Sequence, residues 1–175
     1  MKKLTFAAAI LGVFAQAGYC AQNTAIGALL GDRTDLPAVS APAAPNADRG
    51  KAVMAKFALI THKCDEAYEN AARDGSDKAL MTGLQELTLQ APELKRTGLE
   101  VAAMLPKTRY SKLILSRMLK TMMDFVEGDG DRMSVKVAGR MPGGQMDINS
   151  PLGRKYLEAL LAMKSAVCPV LDYRY

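Results

Sequence analysis

Apolar residues in this chain recur at alternating intervals of four and three, with proline and glycine punctuating the runs. That period puts the apolar positions on one face of a helix, and it constrains the fold more than any other feature. Val53, Phe57, Ile60, Cys64, Ala67 and Ala71 mark a first helix that Gly75 stops. Ser76 is placed to cap a second, with Leu80, Leu84, Leu87 and Ala91 as its buried stripe. Pro92 is expected to break that run and open a third helix carrying Leu94, Gly98, Val101 and Leu105 before Pro106. Thr108 then caps the strongest helix, 109–127. Its Ile114, Leu115, Met118, Leu119, Met122, Phe125 and Val126 fall within an apolar arc of about 140°. Ser150 and Pro151 open the last helix, which buries Tyr156, Leu160, Met163 and Val167 and should stop at Pro169. Five amphipathic helices on short connections predict an all-α bundle over 48–169, leaving 170–175 as a tail.

One stretch departs from the pattern. Residues 128–150 contain Gly128, Gly130, Gly139, Gly143 and Gly144 and are too long for a simple bundle loop. Met133, Val135 and Val137 alternate with polar residues, as do Met146 and Ile148, around a turn region from Gly139 to Gly144. A period of two predicts a small β-hairpin lying against the bundle, with a mobile binding loop as the rival.

The N-terminus reads as an export signal. Lys2 and Lys3 precede an uncharged, mainly apolar run from Leu4 to Phe14, and Ala15-Gln16-Ala17 matches a signal-peptidase site. The run is too short to span a bilayer, which takes about 20 apolar residues. Residues 18–47 then form a linker rich in alanine and proline, with little to bury. Removing residues 1–17 takes two lysines with it, so the net charge falls from +5 to (23 − 2) − 18 = +3. That mildly basic balance is far from a nucleic-acid binder. Trp is absent, and only Phe57 and Phe125 remain of the phenylalanines, which argues against base-stacking surfaces and sugar clefts.

In an oxidising compartment, Cys64 on the first apolar stripe and Cys168 at the end of the last helix predict a structural disulfide. Cys20 is left over in the linker as a free thiol, an intermolecular bridge or a lipid site, the last disfavoured by the bulky Tyr19 before it and by Ala17 where a Leu is usual.

No catalytic motif emerges. His62 is the only histidine, and a Cys–His pair with Cys64 fails because side chains two apart on a helix diverge. His62, Asp65, Glu66 and Glu69 share a face and are the candidate metal ligands. Lys51 and Arg73 on that same face make it instead an ordinary salt-bridged stripe. Glu127, Asp129 and Asp131 imitate a calcium loop, but positions six and twelve of such a frame are Arg132 and Ala138. Met133, Met141 and Met146 in the long connection could ligate Cu(I), although no Met-x-Met cluster supports it and packing explains them better. No cofactor is expected.

The remaining lead is charge. Lys107, Arg109, Lys112, Arg117 and Lys120 lie within fourteen residues that contain no acid. Arg109, Lys112, Arg117 and Lys120 occupy the side of the strongest helix opposite its apolar arc, where an anionic partner could sit. With its apolar arc used by the core, this helix is not expected to insert into a bilayer. These features point to an exported, periplasmic or secreted module without catalysis. Its partner would be a protein, a peptide or an anionic envelope surface, and not nucleic acid. An enzyme with a carboxylate or metal site in an unfamiliar arrangement is the alternative.

Overall fold

The structure, a computed structural model, describes residues 45–173 apart from Asp129. The signal at 1–17, Cys20 and all of the 18–47 linker before Pro45 lie outside the described residues. Six α-helices are present among them: α1 (Pro45–Asp74), α2 (Asp77–Met104), α3 (Arg109–Met118), α4 (Lys120–Glu127), α5 (Arg132–Ala138) and α6 (Pro151–Leu171). A short 3₁₀ turn, Pro142–Gly144, precedes α6, and the described residues contain no strand. The chain divides into two units, Met1–Lys51 and Ala52–Tyr175. Of the first, only the opening of α1 is described, where Lys51 Nζ lies 3.7 Å from Asp48 Oδ1. Everything below belongs to the second.

The helix starts follow local chemistry. Ser76 Oγ accepts from Ala79 N–H, Thr108 Oγ1 from Ser111 N–H and Ser150 Oγ from Gly153 N–H. Each cap satisfies one of the donors that a helix N-terminus leaves unpaired. Gly75 ends α1 at a φ of +66°, a conformation that costs glycine little.

Within this unit α1 and α2 form an antiparallel hairpin. Lys56 Nζ meets Glu93 Oε1 at 2.5 Å toward one end, and Gly83 backs onto Ala67 and Ala71 toward the other. Helix α6 lies along α2. At Gly98 the side chains of Val170 and Phe57 lie against the α2 backbone, so that a Cβ there would stand 2.7 Å from Val170 Cγ2 and 3.1 Å from Phe57 Cε2. At the other end Phe125 bridges Tyr68 of α1 and Tyr156 of α6. Phe57 is thus level with Val170, and Tyr68 with Tyr156, so α6 runs antiparallel to α1 and parallel to α2. Phe57, Leu80, Leu84, Leu94, Leu115 and Met163 are among the fully buried side chains of the shared core.

Several expectations are corrected. Pro92 does not end a helix: α2 passes straight through it. Proline inside a helix costs about 3 kcal/mol, but Leu84, Leu87, Ala91, Leu94 and Val101 make one buried stripe on both sides of the exposed Pro92. A break would withdraw half of that stripe from the core. Pro169 is likewise carried inside α6, which continues to Leu171. The 109–127 helix is divided at Leu119, with φ −97° and ψ 6°, yet Leu119 N–H still bonds Leu115 O and Met123 N–H bonds Leu119 O. It is one path tightened at a buried leucine.

The hairpin is absent, because residues 132–138 form α5. Asp131 caps it by accepting from Met133 and Ser134 N–H, both at 3.1 Å. Met133 and Val137, read as alternate strand positions, are also four apart on a helix. Both are fully buried, while Val135 between them is 56 % exposed. The period of two was a coincidence of three residues.

Cys64 and Cys168 are free thiols and not a disulfide. Cys64 lies seven residues beyond Phe57, and Cys168 two before Val170. On antiparallel axes rising 1.5 Å per residue, that offsets them by roughly 7 Å lengthwise, with about 8–10 Å between axes besides. A disulfide joins Cα atoms less than about 7 Å apart. Burial, then the charges of Asp65 and Glu86, pushes the Cys64 thiol up to about 12, so it stays protonated.

The helical reading of residues 132–138 has a direct check. Met133→Ala should cost about 2–5 kcal/mol in urea unfolding, as a cavity in the core does. Val135→Asp should stay within about 0.5 kcal/mol of the parent. A hairpin with all three apolar residues on one face would penalise both.

Candidate functional site

Two arrangements of polar groups stand out, one buried and one exposed. The buried one joins α1 to α5. Tyr68 is 3 % exposed and its hydroxyl donates to Asp131, whose other oxygen caps α5. One residue along each helix, Arg132 Nη2 donates to Glu69 Oε1 at 2.6 Å. The Arg132 guanidinium also stands 5.6 Å from the centre of the Tyr68 ring. Phe125 packs edge-on against Tyr68 and Tyr156, with ring centres 6.2 and 5.5 Å away. Burial first, with Asp131 adding to it, pushes the Tyr68 hydroxyl up to about 12. Burial and then the Asp131 charge also raise the Tyr156 hydroxyl.

Every described member of this cluster is engaged. The Asp131 carboxylate takes three hydrogen bonds, Tyr68 gives its only proton to it, and Glu69 is bridged by Arg132. Such a network fixes where α5 sits. Sequence reasoning missed it: Tyr68 lies beside the first apolar stripe, and its partner is 63 residues away. The one local signal was Asp131 standing ahead of a short helix, as a capping residue does.

The candidate metal ligands do not converge. His62 is exposed, with Nε2 3.4 Å from Glu66 Oε1, while Glu69 is held by Arg132 and Asp65 sits beside Cys64. No group of three or more His, Cys, Asp or Glu side chains suited to a metal occurs among the described residues. Met133 and Met141 are buried, and Ser150 Oγ lies 3.3 Å from the Met141 sulfur, so both are packing residues. An open groove of about 650 Å³ runs between α1 and α2, lined by Lys63, Glu66, Asp74, Lys78 and Glu86 around a floor of Ala67, Ala71 and Gly83. Its charges are mixed in sign and select no single ligand class.

The exposed arrangement is the outer side of α3 with the first residue of α4. Arg109, Lys112, Arg117 and Lys120 all face solvent, where the sequence put them. Lys120 Nζ is paired with Asp124 Oδ2 at 2.7 Å. Arg109, Lys112 and Arg117 have no ion pair among the described residues. The chain around them offers none, since residues 101–123 contain neither Asp nor Glu. Two apolar residues share this side: Tyr110 is 56 % exposed and Leu113 is 45 % exposed. The inner side, Ser111, Leu115 and Leu119, is buried.

Comparison with family models, with curated proteins and with solved structures yields no match for this chain.

The buried network predicts an alkaline signature. A phenol whose folded pKa lies above its unfolded value of 10 contributes stability that is complete below about pH 10 and lost as pH rises through about 12. Absorbance at the tyrosinate band should show a late step near pH 12 that coincides with unfolding. Tyr68→Phe should shrink that step, leaving the share of Tyr156, and cost about 1–3 kcal/mol, because the buried Asp131 carboxylate loses a partner. Ionisation of every tyrosine at one midpoint near 10 would contradict this placement.

Proposed function

We propose that this chain is an exported, non-catalytic helical module of the cell envelope or extracellular space that binds an anionic partner through the outer side of α3. One observation carries the reading. Three exposed cations, Arg109, Lys112 and Arg117, have no ion pair among the described residues and lie on a helix whose other side is committed to the core. Unneutralised cations on a rigid helix raise the local potential and draw in anions. The carboxylates best placed for chemistry support a module without catalysis, because they serve structure: Asp131 caps α5, Glu69 bridges to Arg132, and Glu93 links Arg96 and Lys56. No helix of the described residues is long and apolar enough to cross a membrane.

Export rests on Lys2, Lys3, the apolar run to Phe14 and the Ala15-Gln16-Ala17 site. N-terminal sequencing of protein recovered outside the cytoplasm should begin near Gly18. An intact Met1 in that material would exclude cleavage.

For the binding face, the mature chain should bind dextran sulfate, a soluble polyanion, at low salt and release it as salt rises past about 0.15 M, where the Debye length is about 8 Å. Lys112→Glu with Arg117→Glu should weaken that binding about tenfold or more and leave the circular dichroism spectrum unchanged. No binding of dextran sulfate by the parent protein at low salt would return this face to plain solvent.

A further inference from the structure

We propose that the anionic partner of α3 is the headgroup layer of an anionic lipid bilayer, against which Tyr110 and Leu113 rest as shallow apolar anchors; this rests on the anion-binding reading above. At 100° per residue, Leu113 falls near the middle of the outward arc. Arg109 and Lys120 lie on one side of it, Arg117 on the other, and Tyr110 stands at the margin beyond Arg117. Leu113 thus sets exposed methyls among the cations, where they gain nothing from water and have an apolar phase to enter only if the partner supplies one. Met104, 37 % exposed, and the exposed Lys107 add the same pair of chemistries just ahead of the helix.

Charge complementarity alone would suit any polyanion, but the apolar residues separate the candidates. A soluble polyanion offers phosphate or sulfate and no apolar phase. A bilayer surface offers both at the right depth: phosphates for the cation heads, and the headgroup boundary for a tyrosine ring and leucine methyls. The arginine and lysine stems reach along that boundary while their charges stay in water. An acidic protein would have to present a surface shaped to the outer side of this helix. A lipid surface adapts to it without such shaping. Only two or three apolar side chains point outward, so the contact is peripheral and reversible, electrostatic in range and apolar in its last few ångströms.

The chain has no Trp, which makes the test clean. In cosedimentation at low salt, the mature protein should bind vesicles of equal parts phosphatidylglycerol and phosphatidylcholine, and not phosphatidylcholine alone. Tyr110→Ser with Leu113→Ser should reduce partition onto the anionic vesicles about tenfold and change dextran sulfate binding less than twofold. Separately, Tyr110→Trp introduces a single reporter whose emission should shift to the blue on anionic vesicles and stay put with dextran sulfate. If the protein binds dextran sulfate but prefers neither vesicle, or if the serine pair binds anionic vesicles like the parent, the lipid assignment falls and the anion-binding reading stands. Equal loss of both ligands in the serine pair, or an unmoved emission on vesicles, overturns it too and points to an acidic protein. A parent that binds neither polyanion nor vesicle overturns both readings.

Discussion

The close approach at Gly98 is the contact on which the arrangement depends. There α2 meets Val170 of α6 and Phe57 of α1 with no room for a side chain of its own. With no Cβ at this position, the Val170 and Phe57 side chains pack directly on the α2 backbone, and the long helices run side by side with a filled core between them. With α1, α2 and α6 fixed by it, the remaining chain has little freedom. Helices α3 and α4 must lead from the end of α2 to the start of α5 with Leu115, Leu119, Met122 and Phe125 turned inward. The side of α3 that carries the cations is outward for that reason.

What could be read from the sequence was what local chemistry decides. The caps at Ser76, Thr108 and Ser150 and the stop at Gly75 each involve atoms within four residues, and each is where the pattern placed it. Errors came wherever tertiary packing outbid a local rule. Pro92 and Pro169 are helix breakers on their own, but both sit inside helices whose buried stripes continue past them. Met133 and Val137 fit either period, and only the Asp131 cap and the burial of these two with Val135 exposed select the helix. The two cysteines carried no information about register, which is set at Gly98 and across Phe125 by residues far away in sequence.

The same division applies to the sites. The cations of α3 were legible because helical phase alone decides which side they take. Leu113 was not singled out, because a pattern search for core residues passes over an apolar residue that falls on the wrong side. The Tyr68–Asp131 bond was illegible for a different reason: neither residue belongs to a motif, and they meet only once α1 and α5 are packed. Both arrangements place polar groups deliberately, but with opposite consequences. The first satisfies every partner and rigidifies, whereas the second leaves charge unbalanced at the surface.

The parallel pairing of α2 with α6 also bears on how the chain reaches this state. Gly98 and Val170 are 72 residues apart, and Tyr68 and Asp131 are 63 apart. The α1–α2 hairpin is local and can form early, but its inner leucines have nothing to cover them until the final helix arrives. High contact order of this kind slows folding and prolongs the exposure of apolar surface. The last twenty or so residues therefore act as a closing element, and a chain shortened before Val170 would hold its hairpin open to water. Native-state hydrogen exchange should find α2 and α6 protected to the same free energy, as one cooperative unit; separate opening of α6 with α2 still protected would argue against it.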